Sequence, residues 1–201
     1  MAKSDLPARG HFPKVKLGKK VPKKAEALLI AAFEGDDGLE LPGTALLEGA
    51  ALRSTYEALV AVGATGKTGE VTRVPAPAKA GVASIIAVGL GDAEEVDDET
   101  LRRAAGQAAR SITKVDAVAT SLGDFGVAPV VEGLILGGYK YSGLRSESAA
   151  AATTYTVVAG KSAQEEFDNA KITAESVLIA RDLVNTPSNL LYPKTYAAFL
   201  S

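Results

Sequence analysis

Apolar residues in this chain fall into short blocks that alternate between a strand-like and a helix-like spacing. Residues 25–33 (AEALLIAAF) are almost continuously apolar and are stopped by Gly35-Asp36-Asp37-Gly38. That length and punctuation predict a strand buried on both faces. Residues 44–62, with Leu46, Leu47, Leu52, Leu59, Val60 and Val62, predict one or two short helices flanking residues 53–56. Val71-Thr72-Arg73-Val74 predicts a strand closed by Pro75, whose nitrogen cannot donate to a ladder. Ser84-Ile85-Ile86-Ala87-Val88 predicts a buried strand turned sharply by Gly89-Leu90-Gly91-Asp92. Leu101, Ala104, Ala105, Ala108, Ala109 and Ile112 then share one helical face, with Asp97, Asp98 and Glu99 at the end that favours negative charge and Arg110 at the other.

The alternation continues. Residues 115–120 (VDAVAT) predict a strand, and Val127, Val130, Val131, Leu134, Ile135 and Tyr139 one face of a second helix. Residues 153–158 (TTYTVV) are β-branched and strand-like, closed by Gly160. Ser162-Ala163-Gln164-Glu165 reads as a capping box that opens a third helix. Its face holds Phe167, Ala170, Ala174, Val177 and Leu178, widened by Ile172 and Ile179, and it should run to about Val184, short of Pro187. Thr195 is the expected N-cap of a last apolar turn that the sequence leaves after Leu200, which suggests a cut inside a larger protein. Strands alternating with helices predict an α/β fold: a mixed, largely parallel sheet sandwiched by helices. The strands at 71–74 and 84–88 are too close for a crossover and should pair antiparallel.

Charge adds a second boundary. The whole chain is −2, but residues 1–24 sum to +7 (Lys3, Arg9, Lys14, Lys16, Lys19, Lys20, Lys23, Lys24 against Asp5) and the remainder to −9. With Pro7, Pro13 and Pro22 in it, that block predicts a flexible, solvated tail. The domains read as a tail at 1–24, an α/β domain at 25–160 and a linker helix with the start of a further domain at 161–201. Zero Cys excludes a disulfide scaffold and a thiolate site, and the single His11 excludes chemistry needing two imidazoles. No apolar run approaches a bilayer span and no signal core opens the chain, so a cytoplasmic protein without membrane contact is expected.

Candidate chemistry is sparse. Ala61-Val62-Gly63-Ala64-Thr65-Gly66-Lys67-Thr68 approaches a phosphate-binding loop, with Ala61 in place of the first glycine. Such a loop needs a strand before it and a helix after it, and the predicted order here is reversed. Gly89-Leu90-Gly91 is half a dinucleotide fingerprint, but Glu94 takes the third glycine position and Asp92, Glu94 and Glu95 would repel a pyrophosphate. Residues 92–99 are dense in acids but suit the start of a helix. His11 has no partner within reach in sequence. No catalytic, cofactor-binding or metal-binding residue is assigned.

Ala180-Arg181-Asp182-Leu183-Val184-Asn185-Thr186-Pro187-Ser188-Asn189, followed by Tyr192-Pro193, resembles the segment joining the two domains of the leucyl aminopeptidase (cytosol aminopeptidase) family. Val88-Gly89-Leu90-Gly91, the Ala- and Arg-rich helix after it, Glu132-Gly133 and Tyr139-Lys140-Tyr141 resemble that family's N-terminal domain in the same order, and residues 175–181 its linker helix. The likeness spans about residues 25–201; Leu190 stands where the family commonly has an acidic residue. The resemblance implies a macro-domain-like N-terminal domain that serves assembly and shapes access to the active site, and is inert alone. It implies a full-length homo-hexameric metallo-aminopeptidase in which a separate C-terminal catalytic domain binds peptide substrates. That domain would hold two divalent ions (manganese, zinc or magnesium), so no cofactor belongs to this chain. Two alternatives stay open: a nucleic-acid-binding module using the basic tail, and a nucleotide or ADP-ribose-type site at the Gly89 turn.

Overall fold

The computed structural model describes residues 10–43, 46–78, 80–141 and 153–200. Two short strands come first, β1 (Gly10–His11) and β2 (Lys14–Gly18). The apolar run forms β3 (Ala27–Gly35), buried through Phe33, and a turn at Asp36 and Asp37 brings the chain back as β4 (Gly38–Glu40). Helix α1 (Gly49–Ala61) passes unbroken through Arg53 and Tyr56, so a single helix forms where one or two were expected; Thr44 and Ala45 lie outside the described residues. Then follow β5 (Val71–Pro75), β6 (Ser84–Gly89), α2 (Asp98–Ser111), β7 (Ala117–Thr120), α3 (Val127–Gly137) and the short β8 (Lys140–Tyr141). The last elements are β9 (Thr154–Val158), α4 (Gln164–Asn185) and α5 (Pro193–Leu200).

The main sheet runs β2-β9-β7-β3-β6-β5, with β4 added antiparallel at the end of β3. Every pair from β2 to β6 is parallel, whereas β5 pairs antiparallel with β6, as the short connection requires. Helices flank the sheet, so the mixed, mostly parallel α/β arrangement read from the sequence is the one that forms. The period of two along β3 divides the core. Leu29, Ala31 and Phe33 face α2, α3 and α4, while Leu28, Ile30 and Ala32 join Leu59 of α1 on the other side.

The basic block is where charge counting misleads. Residues 1–9 lie outside the described residues, but residues 10–18 are not a solvated tail. β1 pairs with β8, and β2 is an edge strand of the main sheet, parallel to β9 with Val15 opposite Tyr155. The cause is a two-residue period inside the lysines: Val15 is buried against the helices and Leu17 packs beside it, while Lys14 and Lys16 point to water. A summed charge cannot see an alternation.

Helices α2 and α3 approach closely because three glycines meet at their contact. A Cβ on Gly137 would collide with the main chain of Gly106, and one on Gly133 with the carbonyl of Arg102. The same seam carries an ion pair, Arg102 Nε to Glu132 Oε2 at 2.7 Å. Helix α4 packs on α3 through Phe167, Ala170, Ala174 and Leu178 and shares their core. No break in the core therefore falls at the expected 160/161 boundary. The buried stripe of α4 is narrower than expected: Ile172 is 63%, Val177 38% and Ile179 45% exposed.

Two expected caps form differently. A 3-10 turn at Lys161–Ala163 takes Ser162 into helical geometry, and α4 starts at Gln164 without a side-chain cap. Helix α5 starts at Pro193, where a missing N–H costs nothing, and the Thr195 hydroxyl reaches back to accept from the Tyr192 N–H at 2.9 Å.

Candidate functional site

The carboxyl ends of parallel strands are where α/β sheets place ligands, above all where successive connections diverge. Here the connection leaving β3 runs to β6 and the one leaving β7 runs the other way to β9, so that point lies between β3 and β7, and the Gly66 loop lies beside it, across the carboxyl ends of β3 and β6. Gly66 has φ +82 and a side chain there would collide with the Phe33 carbonyl, so only glycine brings the loop this close. The Gly66 carbonyl accepts from Gly91 N–H at 3.0 Å, and Gly69 N–H donates to the Gly89 carbonyl at 2.9 Å. The two glycine motifs thus pack on one another.

The groups that would cradle a phosphate are already engaged. Thr65 N–H, Thr65 Oγ1 and Gly66 N–H all donate to Glu70 Oε2, each at 2.9 Å. Burial pushes the Glu70 carboxyl up, but the bonds from Thr65 and Gly66 outweigh it and leave the group below its ordinary value. A strand follows this loop, Lys67 Nζ lies 4.0 Å from Glu34, and Thr68 Oγ1 donates to the Leu90 carbonyl at 3.4 Å. On the far side of β3, the rings of Phe33 and Phe125 meet edge to face at 5.6 Å, packing the gap toward β7. The loop has the composition of an anion site and the geometry of a clasp.

The acids at 92–99 also have local work. Asp97 Oδ1 accepts from Thr100 N–H at 2.7 Å, which caps α2 and lowers the pKa of the carboxyl. Asp92 accepts from Glu94 N–H, and Glu99 pairs with Arg102 and Arg103. Among the described residues, no group of three or more His, Cys, Asp or Glu could hold a metal ion. His11 sits exposed in β1 opposite Lys140.

The linker motif builds a joint. Asp182, buried near the end of α4, accepts through Oδ1 from Gly10 N–H at 2.8 Å and from the Tyr139 hydroxyl at 2.7 Å. Asn185 Nδ2 donates to the same hydroxyl at 3.3 Å. Arg181 Nη1 donates to the Leu136 carbonyl at 2.9 Å, near the end of α3, and its guanidinium lies 5.7 Å from the centre of the Tyr139 ring. Thr186 closes the helix by donating from Oγ1 to the Asp182 carbonyl at 2.6 Å. Burial raises the Tyr139 phenol above its usual value, and the bond to Asp182 raises it further. Three side chains of one motif, Arg181, Asp182 and Asn185, therefore fix α4 to the end of α3, and Asp182 also fixes it to the N-terminal strand. Asp182 falls on the apolar stripe of α4, four residues after Leu178, which is the signal that it is buried.

The described lysines of the basic block, at 14, 16, 19, 20, 23 and 24, are all exposed. No helix among the described residues is long and apolar enough to cross a membrane.

A family profile described as the N-terminal domain of the cytosol aminopeptidase family matches residues 18–148. A probable cytosol aminopeptidase of Corynebacterium diphtheriae is 47% identical over 204 residues, covering 99% of this chain and 41% of the relative. The chain thus spans about two fifths of the length of that relative. Among solved structures, the bottromycin maturation enzyme BotP superposes with a TM-score of 0.65 at 25% identity, over 86% of this chain and 35% of that one. Tomato leucine aminopeptidase shares the fold, with a TM-score of 0.69 at 20% identity over 94% of this chain and 42% of that one. The chain belongs to the cytosol aminopeptidase family, of which it carries the N-terminal domain.

Proposed function

We propose that this chain is the non-catalytic assembly domain of a cytoplasmic, homo-hexameric metallo-aminopeptidase that releases N-terminal amino acids from peptides. The observation that carries the reading is the match of residues 18–148 to the family's N-terminal domain, within a chain that covers only 41% of a 47%-identical relative. The motif that resembles the family's interdomain linker is built as a rigid joint, which suits a helix that must hold a second body in fixed orientation. Within and beyond that joint, Val184 is 86% and Leu200 65% exposed, and Tyr192 and Tyr196 also present large surfaces to water, as expected of residues that face another domain.

The two divalent ions implied by the family would polarise the scissile carbonyl and lower the pKa of a bound water. The described residues here bring no such donor set together, so no chemical step is assigned to this chain. Its contribution is to hold the catalytic domain in the assembly and to shape the approach of peptides to it. Leucine-p-nitroanilide with added manganese tests the reading: the purified 201-residue chain should give no turnover. Hydrolysis above that of a contaminant control would overturn it.

A further inference from the structure

We infer that the outer edge of β2 takes an acidic, extended peptide segment of a partner protein as an added strand. Lys14 N–H donates to the Thr153 carbonyl at 3.1 Å, and the Gly18 carbonyl accepts from Ala159 N–H at 3.0 Å, so the main chain of the even-numbered residues faces β9. Alternation then turns the N–H and C=O groups of Val15 and Leu17 outward. β2 is last in the strand order, and among the described residues no strand pairs with that edge.

The surroundings of the edge define what fits. A groove of about 220 Å³ runs beside it, lined by Phe12, Val15 and Ile135 and bordered by Lys14, Lys16 and Lys171. Glu175, 3.9 Å from Lys171, is the one acid in that lining. Lys14 and Lys16 stand on one face of the strand and Val15 on the other. An incoming strand with acids at alternate positions would oppose the two lysines, while its intervening apolar side chains meet the groove. A second copy of β2 is a poor occupant, because it would set lysine against lysine. A nucleic-acid backbone would engage the lysines but leave the outward amides unused, and Phe12 alone does not make the succession of stacking platforms that bases use.

The test uses the 201-residue chain, isotope-labelled, with an acetylated peptide of alternating Glu and Val, a Lys-and-Val peptide as control, and a duplex DNA as competitor. The Glu peptide should bind, and at saturation slow amide exchange at Val15 and Leu17 at least tenfold while Lys16, already paired, does not change. The K14E/K16E double variant should lose at least tenfold in affinity, and Leu17→Pro, which removes one outward N–H from an edge strand, should do the same. Circular dichroism checks that both variants fold; if Leu17→Pro does not, the exchange measurement on the unmodified chain decides. No binding of the Glu peptide, binding without protection of Val15 and Leu17, or equal binding of the Lys peptide would overturn the proposal. So would duplex DNA displacing the Glu peptide from the lysines with those two amides never protected.

Discussion

Asp182 and Tyr139 meet at 2.7 Å across the gap between the end of α3 and the linker helix, and Gly10 N–H shares the same carboxylate oxygen at 2.8 Å. One buried acid thus gathers three separate pieces of chain. Asp182→Ala would strand both donors, and an unsatisfied buried donor costs about 1–3 kcal/mol. A loss of about 2 kcal/mol is expected, which lowers the melting temperature by roughly 4–8 °C for a domain of this size. Asp182→Asn keeps an acceptor oxygen without the charge and should lose about half as much. Thermal melts of the two variants check this; an alanine variant as stable as the parent would show that the joint holds no strain-bearing contact.

The element order was legible where one period ruled a whole segment. Residues 84–88 and the Ala-rich face of α2 announce themselves because burial follows spacing without interruption. The acids at 97–99 were equally plain as the start of that helix, although the cap that Asp97 makes to Thr100 N–H was not read from them. Relationships that cross the fold were not. The alternation in residues 14–18 was hidden by its charge, and the burial of Asp182 breaks the rule that a polar residue on a stripe marks its edge. The role of Glu70 was missed because loops are read as backbone turns, while its carboxylate is what completes this one.

Glu70 offers a prediction with a defined pH window. Its folded pKa lies below the ordinary 4.5, so the stability it contributes is present above that value and is lost as pH falls through the folded pKa. The group is half-buried at the surface, and screening by the neighbouring solvent limits the effect to under about 1 kcal/mol. Glu70→Gln should therefore be slightly less stable than the parent at pH 7, with the two curves converging as pH falls through the lowered pKa of the folded state. Urea midpoints across that range measure it, and a gap that stays constant with pH would refute the assignment.

The α2–α3 seam sets two opposing effects against each other. Replacing glycine by alanine inside a helix gains up to about 1 kcal/mol from propensity, whereas overpacking a tight contact costs about 1–3 kcal/mol. At Gly137 the collision is with the Gly106 main chain, which cannot swing away like a side-chain tip, so the cost should win. Gly137→Ala is expected to destabilise by about 1–2 kcal/mol. Gly160→Ala is the control, because a Cβ there meets nothing nearer than the Ser162 hydroxyl at 3.6 Å, and it should stay within about 0.5 kcal/mol. Chemical denaturation of both variants compares the crowded seam with an open position outside the helices.

Tyr155 makes the strongest claim on alkaline stability. It is 0% exposed in β9, its hydroxyl meets no hydrogen-bond partner among the described residues, and burial pushes the phenol far above its ordinary value of 10.0. The unfolded chain releases this proton near pH 10 while the folded chain retains it. A raised folded pKa means stability that is whole below about pH 10 and falls as pH rises beyond, by up to about 1.4 kcal/mol per pH unit. Tyr155→Phe preserves the ring and removes both the titration and the unpartnered hydroxyl. It should match or exceed the parent at pH 7, by up to about 1 kcal/mol, and lose less between pH 10 and 11. Tyr139, also raised, keeps a smaller alkaline slope in the variant. Parallel stability curves for parent and variant from pH 7 to 11 would mean that the phenol reaches water, and that the core around Tyr155 is looser than its side chains indicate.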